Sequence, residues 1–137
     1  MRDALIKAAM VVVAAFAAAA SAPSGAQEMD GKALFMKNCA ACHQATGKGI
    51  PGAFPPLAGS KFVQGKGSDV ATVLLKGRGG MPDFSDSLND RDIAVVLTFV
   101  RSNWGNKSEG LSEAEVVALR SSLGVDPFGN ITMSNKH

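Results

Sequence analysis

The sequence predicts an all-α fold: three to five helices following an N-terminal signal peptide. Three observations predict it. Apolar residues recur at helical spacing in four separated stretches, each opened or closed by a capping residue. Between the first two, Gln44 to Ser60 collects Gly47, Gly49, Pro51, Gly52, Pro55, Pro56 and Gly59 into one long loop. Finally, the only two cysteines of the chain stand three positions apart with a histidine directly after them, in Cys39-Ala40-Ala41-Cys42-His43.

That last pattern is the chemistry of covalent haem attachment. Each thiol adds to one vinyl group of the porphyrin, and the adjoining imidazole is placed beneath the iron. Other readings of C-x-x-C fit less well. A redox dithiol wants a βαβ context, which this Gly-rich, helix-patterned sequence does not offer. A structural zinc site wants four Cys/His ligands, and the only other histidine is His137, at the end of a polar tail. The expected fold is therefore helices wrapped around one covalently attached haem c.

The chain opens as a secretory signal. Arg2 and Lys7 give a positive start, Ala8 to Ala20 form an apolar run, and Ser24-Gly25-Ala26 fits the small-x-small cleavage pattern. Residues 1–26 are the expected signal peptide and Gln27 the mature N-terminus, with an uncleaved anchor as the alternative. The apolar run is short for a membrane span, which needs about 20 residues. No membrane span is expected in the mature chain. Export suits the motif, because thioether-held cysteines escape the disulfides that oxidising compartments favour. The expected location is the periplasm.

Removing those residues from 137 leaves one small domain with 12 basic and 11 acidic side chains. So small a net charge, with no basic stripe, argues against nucleic acid as a partner. The distribution is uneven. Residues 27–80 hold seven basic and three acidic side chains, whereas 81–137 hold five and eight.

The elements follow in order. Met29 to His43 is expected as a first helix, with Asp30 as N-cap and Gly31, Leu34, Phe35 and Asn38 at helical spacing. Gly31 and Phe35 share a face. Glycine there weakens a helix, which suggests that another backbone comes close. In the loop that follows, Gly47-Lys48-Gly49 lacks the Lys-Ser/Thr pair of a phosphate-binding loop. So does Gly77-Arg78-Gly79-Gly80. Both are expected as tight turns over a flat cofactor. Ligating histidines donate their second ring nitrogen to a carbonyl or carboxylate, and Pro55 is the first candidate to supply it.

A second helix is expected from Asp69 to Lys76, capped by Ser68, with Val70, Val73 and Leu74 on one face and Gly77 as its stop. Met81 then stands between glycines and Pro82. A thioether is soft and neutral, and pairing it with histidine on haem iron raises the reduction potential. Met29 and Met36 precede the attachment motif and Met133 lies in the tail, so Met81 is the expected second axial ligand. Asn89, with Asp92 three residues on, opens a helix whose face runs Ile93, Val96, Leu97 and Val100, ending near Trp104-Gly105. Val96 and Phe99 are expected to meet Gly31 and Phe35, and Trp104 to serve packing rather than electron relay. Ser112-Glu113-Ala114-Glu115 is a capping box for a last helix, Glu113 to Leu123, stopped by Gly124. Its sticky side holds Val116, Val117, Leu119, Arg120 and Leu123. Residues 125–137 read as a tail.

From about Asp30 to Asn106 the chain resembles a class I (monohaem) cytochrome c, by Cys39-x-x-Cys42-His43, Pro55-Pro56-Leu57, Gly80-Met81-Pro82 and the closing helix. The strings Phe54-Pro55-Pro56-Leu57-Ala58-Gly59-Ser60 and Asn103-Trp104-Gly105-Asn106 are similar to cytochrome subunits of periplasmic dehydrogenases and to cytochrome domains of copper nitrite reductases. The resemblance implies a cytochrome c domain over 27–106, an additional C-terminal helix over 107–124, and a crossing of first and last helices at Gly31, Phe35, Val96 and Phe99. It also implies Pro55 as the carbonyl that orients His43. The expected function is single-electron transfer between redox partners (a dehydrogenase, oxidase or reductase, membrane-associated or not) through a His43/Met81-ligated iron. The chain is expected to be a carrier, not an enzyme. A haem enzyme or gas sensor with an open or labile sixth position is the alternative, and an obligate dehydrogenase subunit docking through Val116 to Leu123 is another.

Overall fold

Asp30 begins the first helix as expected: its carboxylate accepts from the Ala33 N–H at 2.7 Å. A computed structural model describes residues 29–129; the proposed signal peptide and residues 130–137 lie outside the described residues. Helix α1 spans Gly31–Asn38 and is shorter than expected, because the chain breaks at Cys39 (φ −124°, ψ −32°) before a single turn, α2, Ala40–His43. The Asn38 side chain bonds back to the Leu34 carbonyl at 2.9 Å, a local contact that bends helices at such positions.

Helix α3, Gly67–Lys76, starts two residues earlier than the sequence suggests. Lys66 is the cap residue and makes no side-chain capping bond; Ser68 lies inside the first turn, where its carbonyl accepts from the Thr72 hydroxyl at 2.7 Å. The reason is packing. A Cβ at Gly67 would already stand 3.2 Å from Leu111, so the bare glycine lets that side chain lie on the helix start. Val70, Ala71, Leu74 and Leu75 are buried, and Gly77 ends the helix at φ +72°.

Helix α4, Asp90–Ser102, is capped by Asn89, whose side chain accepts from the Asp92 N–H at 2.8 Å. It stops at Ser102, short of Trp104, where Asn103 turns extended and donates its side chain to the Phe99 carbonyl at 2.8 Å. Helix α5, Glu113–Ser122, carries the full Ser112/Glu115 capping box.

α4 is the central element, packing against α1, α3 and α5, while α5 also lies on α3. Leu34, Phe35, Val70, Leu75, Ile93, Val96, Leu97, Val100 and Val116 form one buried core. The α1–α4 crossing runs through Gly31, whose neighbours are Phe99 and Val95. An aromatic trio closes it: Phe35 lies 4.9 Å from Trp104 and 5.7 Å from Phe99, and Phe99 meets Trp104 edge-on at 5.4 Å. The supposed sticky side of α5 is largely consumed within the chain. Val116 is fully buried, Arg120 is buried in an ion pair, and only Val117 stands exposed. Among the described residues no helix is long and apolar enough to cross a membrane.

Candidate functional site

The break at Cys39 sets the geometry of the attachment motif. Cys42 and His43 both donate their N–H to the Cys39 carbonyl, at 3.2 and 2.9 Å, so the two cysteines lie one turn apart with the histidine beside them. Neither is in a disulfide; Cys42 is exposed and Cys39 half-buried. Before any cofactor is attached, burial, and then the neighbouring Cys42, push the Cys39 thiol up to about 11.

His43 is buried, and its Nδ1 lies 2.9 Å from the Pro55 carbonyl oxygen. A carbonyl can only accept, so Nδ1 carries the proton and donates. The lone pair of the neutral ring then sits on Nε2, the nitrogen free to coordinate.

The loop that brings Pro55 there is built by close backbone approach. Gly49 donates to the His43 carbonyl at 2.9 Å, and Ile50 and Phe54 pair across a tight turn. A Cβ at Gly49 would run into the Phe54 and Pro55 carbonyls, the latter at 2.7 Å. The Gly47 carbonyl accepts from Leu57 and Ala58 at 2.7 and 2.9 Å. Gly47 itself (φ +67°) lies under the Trp104 ring, which a Cβ would meet at 2.6 Å. Trp104 is thus a packing residue that also supports the histidine loop.

Sequence reasoning assigned no role to Asn106, and the structure gives it one. Fully buried, it donates to the Leu57 and Val100 carbonyls at 3.0 and 2.9 Å and accepts from the Gly59 N–H at 2.9 Å. It therefore fastens the segment just after Pro55 to the end of α4. An uncharged polar residue beyond a helix end was the only local signal.

Met81 is carried on a second tight turn. Arg78 and Met81 exchange both backbone hydrogen bonds at 3.0 Å around Gly79 (φ +59°), which is the first central position of a primed turn. Gly77 underlies it, since a Cβ there would meet the Met81 carbonyl at 2.9 Å. The Arg78 guanidinium covers Phe62 at 4.8 Å. Met81 is half-buried and packs on the same core as Cys39, Ala40, Leu57 and Phe84.

These residues fit a porphyrin iron better than a bare metal ion. They offer one oriented imidazole, one thioether on a fixed turn and two free thiols a turn apart. Among the described residues no group of three or more His, Cys, Asp or Glu could hold a metal ion.

Comparison with known proteins points the same way. The family model described as cytochrome c oxidase, cbb3-type, subunit III matches residues 26–100, more than half of the chain. The cytochrome c subunit of an alcohol dehydrogenase (quinone) from Gluconacetobacter polyoxogenes is 36% identical over 104 residues, 66% of this chain and 22% of that protein. The chain thus spans about a fifth of the length of that relative. Cytochrome c-552 of Thermus thermophilus is 35% identical over 95 residues, 58% of this chain and 71% of the relative. Cytochrome c6 of Microcystis aeruginosa is 38% identical over 74 residues, 52% and 90% respectively. The chain belongs to the cytochrome c family, and its cofactor is covalently bound haem c.

Proposed function

We propose that this chain is a periplasmic single-electron carrier in which Cys39 and Cys42 would attach the haem c and His43 and Met81 would hold its iron. The observation that carries the reading is the 2.9 Å contact from His43 Nδ1 to the Pro55 carbonyl, because it leaves Nε2 as the donor nitrogen. When bound, the haem iron supplies the one-electron chemistry, alternating between ferric and ferrous. The chain's own residues tune and shield it. Pro55 holds the ring and raises its basicity. The Met81 thioether, neutral and soft, favours the ferrous state, as does burial against the apolar core. With His43 and Met81 both holding the iron, the chain would leave it to exchange electrons and would make and break no substrate bond.

Its partners are redox proteins: a dehydrogenase, an oxidase or a reductase. The names of the relatives support a dehydrogenase or an oxidase. The cofactor edge near Cys42 and Met81 is the proposed electron port, with Lys48, Lys61 and Lys66 steering approach; all three are exposed. Residues 1–26 act as the export signal.

The test begins with protein from a periplasmic extract, treated with acidified acetone. The colour should stay with the polypeptide, and the ferric protein should show the sulfur-to-iron band at the red edge of its spectrum. Met81→Ala should lose that band and, once reduced with dithionite, bind carbon monoxide rapidly. Colour leaving with the solvent would end the covalent reading. A wild type without the band that binds carbon monoxide at once would favour the open sixth position instead.

A further inference from the structure

We propose that Arg120 of α5 is a positioning residue for Met81, clasping the segment that carries it; this rests on Met81 being the axial ligand. The guanidinium is 3% exposed and makes four bonds. Nε donates to the Asp90 carboxylate at 2.6 Å, Nη1 to the carbonyls of Ser85 and Asp126 at 3.0 and 3.1 Å, and Nη2 to the Leu88 carbonyl at 3.3 Å. Three of those four partners lie between Met81 and the first turn of α4. One planar fork therefore spans the segment running from Met81 into α4, from Ser85 to Asp90.

The same stretch is tied elsewhere as well. Phe84 donates to the Leu74 carbonyl at 2.7 Å and Leu88 to the Phe84 carbonyl at 2.9 Å, while Ser85 bonds to Asp83 within the same stretch. Leu74 thus ties the stretch to α3, and Arg120 ties it to α5. Met81 itself is held by its turn with Arg78, and the Arg120 fork, which begins four residues on at Ser85, limits how far the backbone leading away from it can shift.

Burying an ion pair is a poor way to gain stability, since an apolar pair of the same volume often does as well. A rigid fork with several donors is a good way to fix the path of a backbone. That contrast favours positioning over mere cohesion. It also gives α5, which lies beyond the minimal attachment-to-methionine span, a part in setting the distal ligand.

Imidazole added to the ferric holoprotein tests this. It binds only when the Met81 sulfur–iron bond breaks and a nitrogen–iron bond replaces it, with no change in oxidation state. Its apparent affinity therefore scales with the fraction of molecules in which Met81 is off. Arg120→Met should tighten apparent imidazole binding by about tenfold and weaken the red-edge sulfur band. Arg120→Lys keeps the charge but cannot reach all four partners, so it should move binding in the same direction; it serves alone if the methionine variant yields no holoprotein. Val116→Ala is the control. It loosens α5 against the core without removing any of the four bonds, and should lower thermal stability while leaving imidazole binding within about twofold of wild type. Arginine variants that bind imidazole like wild type, or a Val116→Ala variant that binds it as tightly as they do, would overturn the clasp. A wild type lacking the sulfur band would instead overturn the Met81 assignment, and the clasp with it.

Discussion

Gly31 of α1 lies directly against Phe99 of α4: a Cβ on Gly31 would stand 2.6 Å from the Phe99 Cβ and 2.8 Å from the Val95 carbonyl oxygen. The second neighbour is backbone, so it cannot step aside by changing rotamer. Alanine at position 31 would gain about 1 kcal/mol of helix propensity over glycine. Overpacking a crossing this tight costs about 1–3 kcal/mol. Gly31→Ala should therefore destabilise the protein by about 1 kcal/mol, and Gly31→Val by more, in denaturant melts of the holoprotein. An alanine variant at least as stable as wild type would show that the helices can part without cost.

That crossing was legible in the sequence because it is a local exception, a glycine inside a helical pattern with an aromatic one turn on. The caps at Asp30, Asn89 and Ser112 were legible for the same reason, each being a side chain that bonds to its own first turn. Ser68 misled because it has the right chemistry, while the start of α3 was decided by how closely Leu111 packs on Gly67. The break at Cys39 turned on backbone angles that no propensity reports. Least legible were the long-range polar ties. Arg101 reaches the carbonyls of Val63 and Gly65, and Arg120 those of Ser85 and Leu88, across 32–38 residues of chain. In the sequence Arg120 falls on the sticky side of the last helix, and Arg101 carries no separate signal. The candidate site residues stand out by residue type and spacing, whereas the Asn106 brace depends on the fold.

Asn106 should prove costly to replace. Leucine there keeps the volume but leaves the Leu57 and Val100 carbonyls and the Gly59 N–H without their partner. Buried groups left unpaired cost about 1–3 kcal/mol each where water cannot reach them. Asn106→Leu should lose about 3 kcal/mol, and Asn106→Asp, which keeps an acceptor for Gly59, should show a different pH dependence from wild type. A melt within 1 kcal/mol of wild type for the leucine variant would mean that water replaces the brace.

The capping box of α5 carries a pH signature. Hydrogen bonds from the Ser112 N–H and hydroxyl, the backbone one first, hold the Glu115 carboxyl below its ordinary value of 4.5. A depressed folded value means that the contribution is present above pH 4.5 and is lost as pH falls through the lower folded value. Glu115→Gln should therefore be less stable than wild type at neutral pH, and the gap should close on acidification. Thermal melts of both proteins across that range decide it; a gap that stays constant or widens in acid would contradict the assigned hydrogen bonds.

Lys48, Lys61 and Lys66 stand exposed on the basic half of the chain. If they steer docking, electron-transfer rates with an acidic redox protein should fall as salt rises. The triple Lys→Gln variant should be slower on the order of tenfold at low salt and nearly insensitive to it. Stopped-flow rates flat with ionic strength in the wild type would place the electron port elsewhere.

Gln44 directly follows His43 and adopts φ +64°, ψ +154°, a region of backbone space open essentially to glycine alone. It is where the chain leaves α2 and turns so that the Gly49 N–H can reach back to the His43 carbonyl and Pro55 can face the ring. Such a conformation costs a residue with a side chain about 1–3 kcal/mol. Glycine removes that strain, at the expense of roughly 1 kcal/mol of extra freedom in the unfolded chain. Gln44→Gly should therefore stabilise the holoprotein by about 1 kcal/mol, whereas Gln44→Ala, which keeps a Cβ, should not. Because the Gln44 N–H still bonds to the Ala40 carbonyl at 2.9 Å in either variant, the position of His43 and the absorption spectrum should be unchanged. A glycine variant less stable than wild type would show that the Gln44 side chain earns its place through contacts that outweigh the backbone strain.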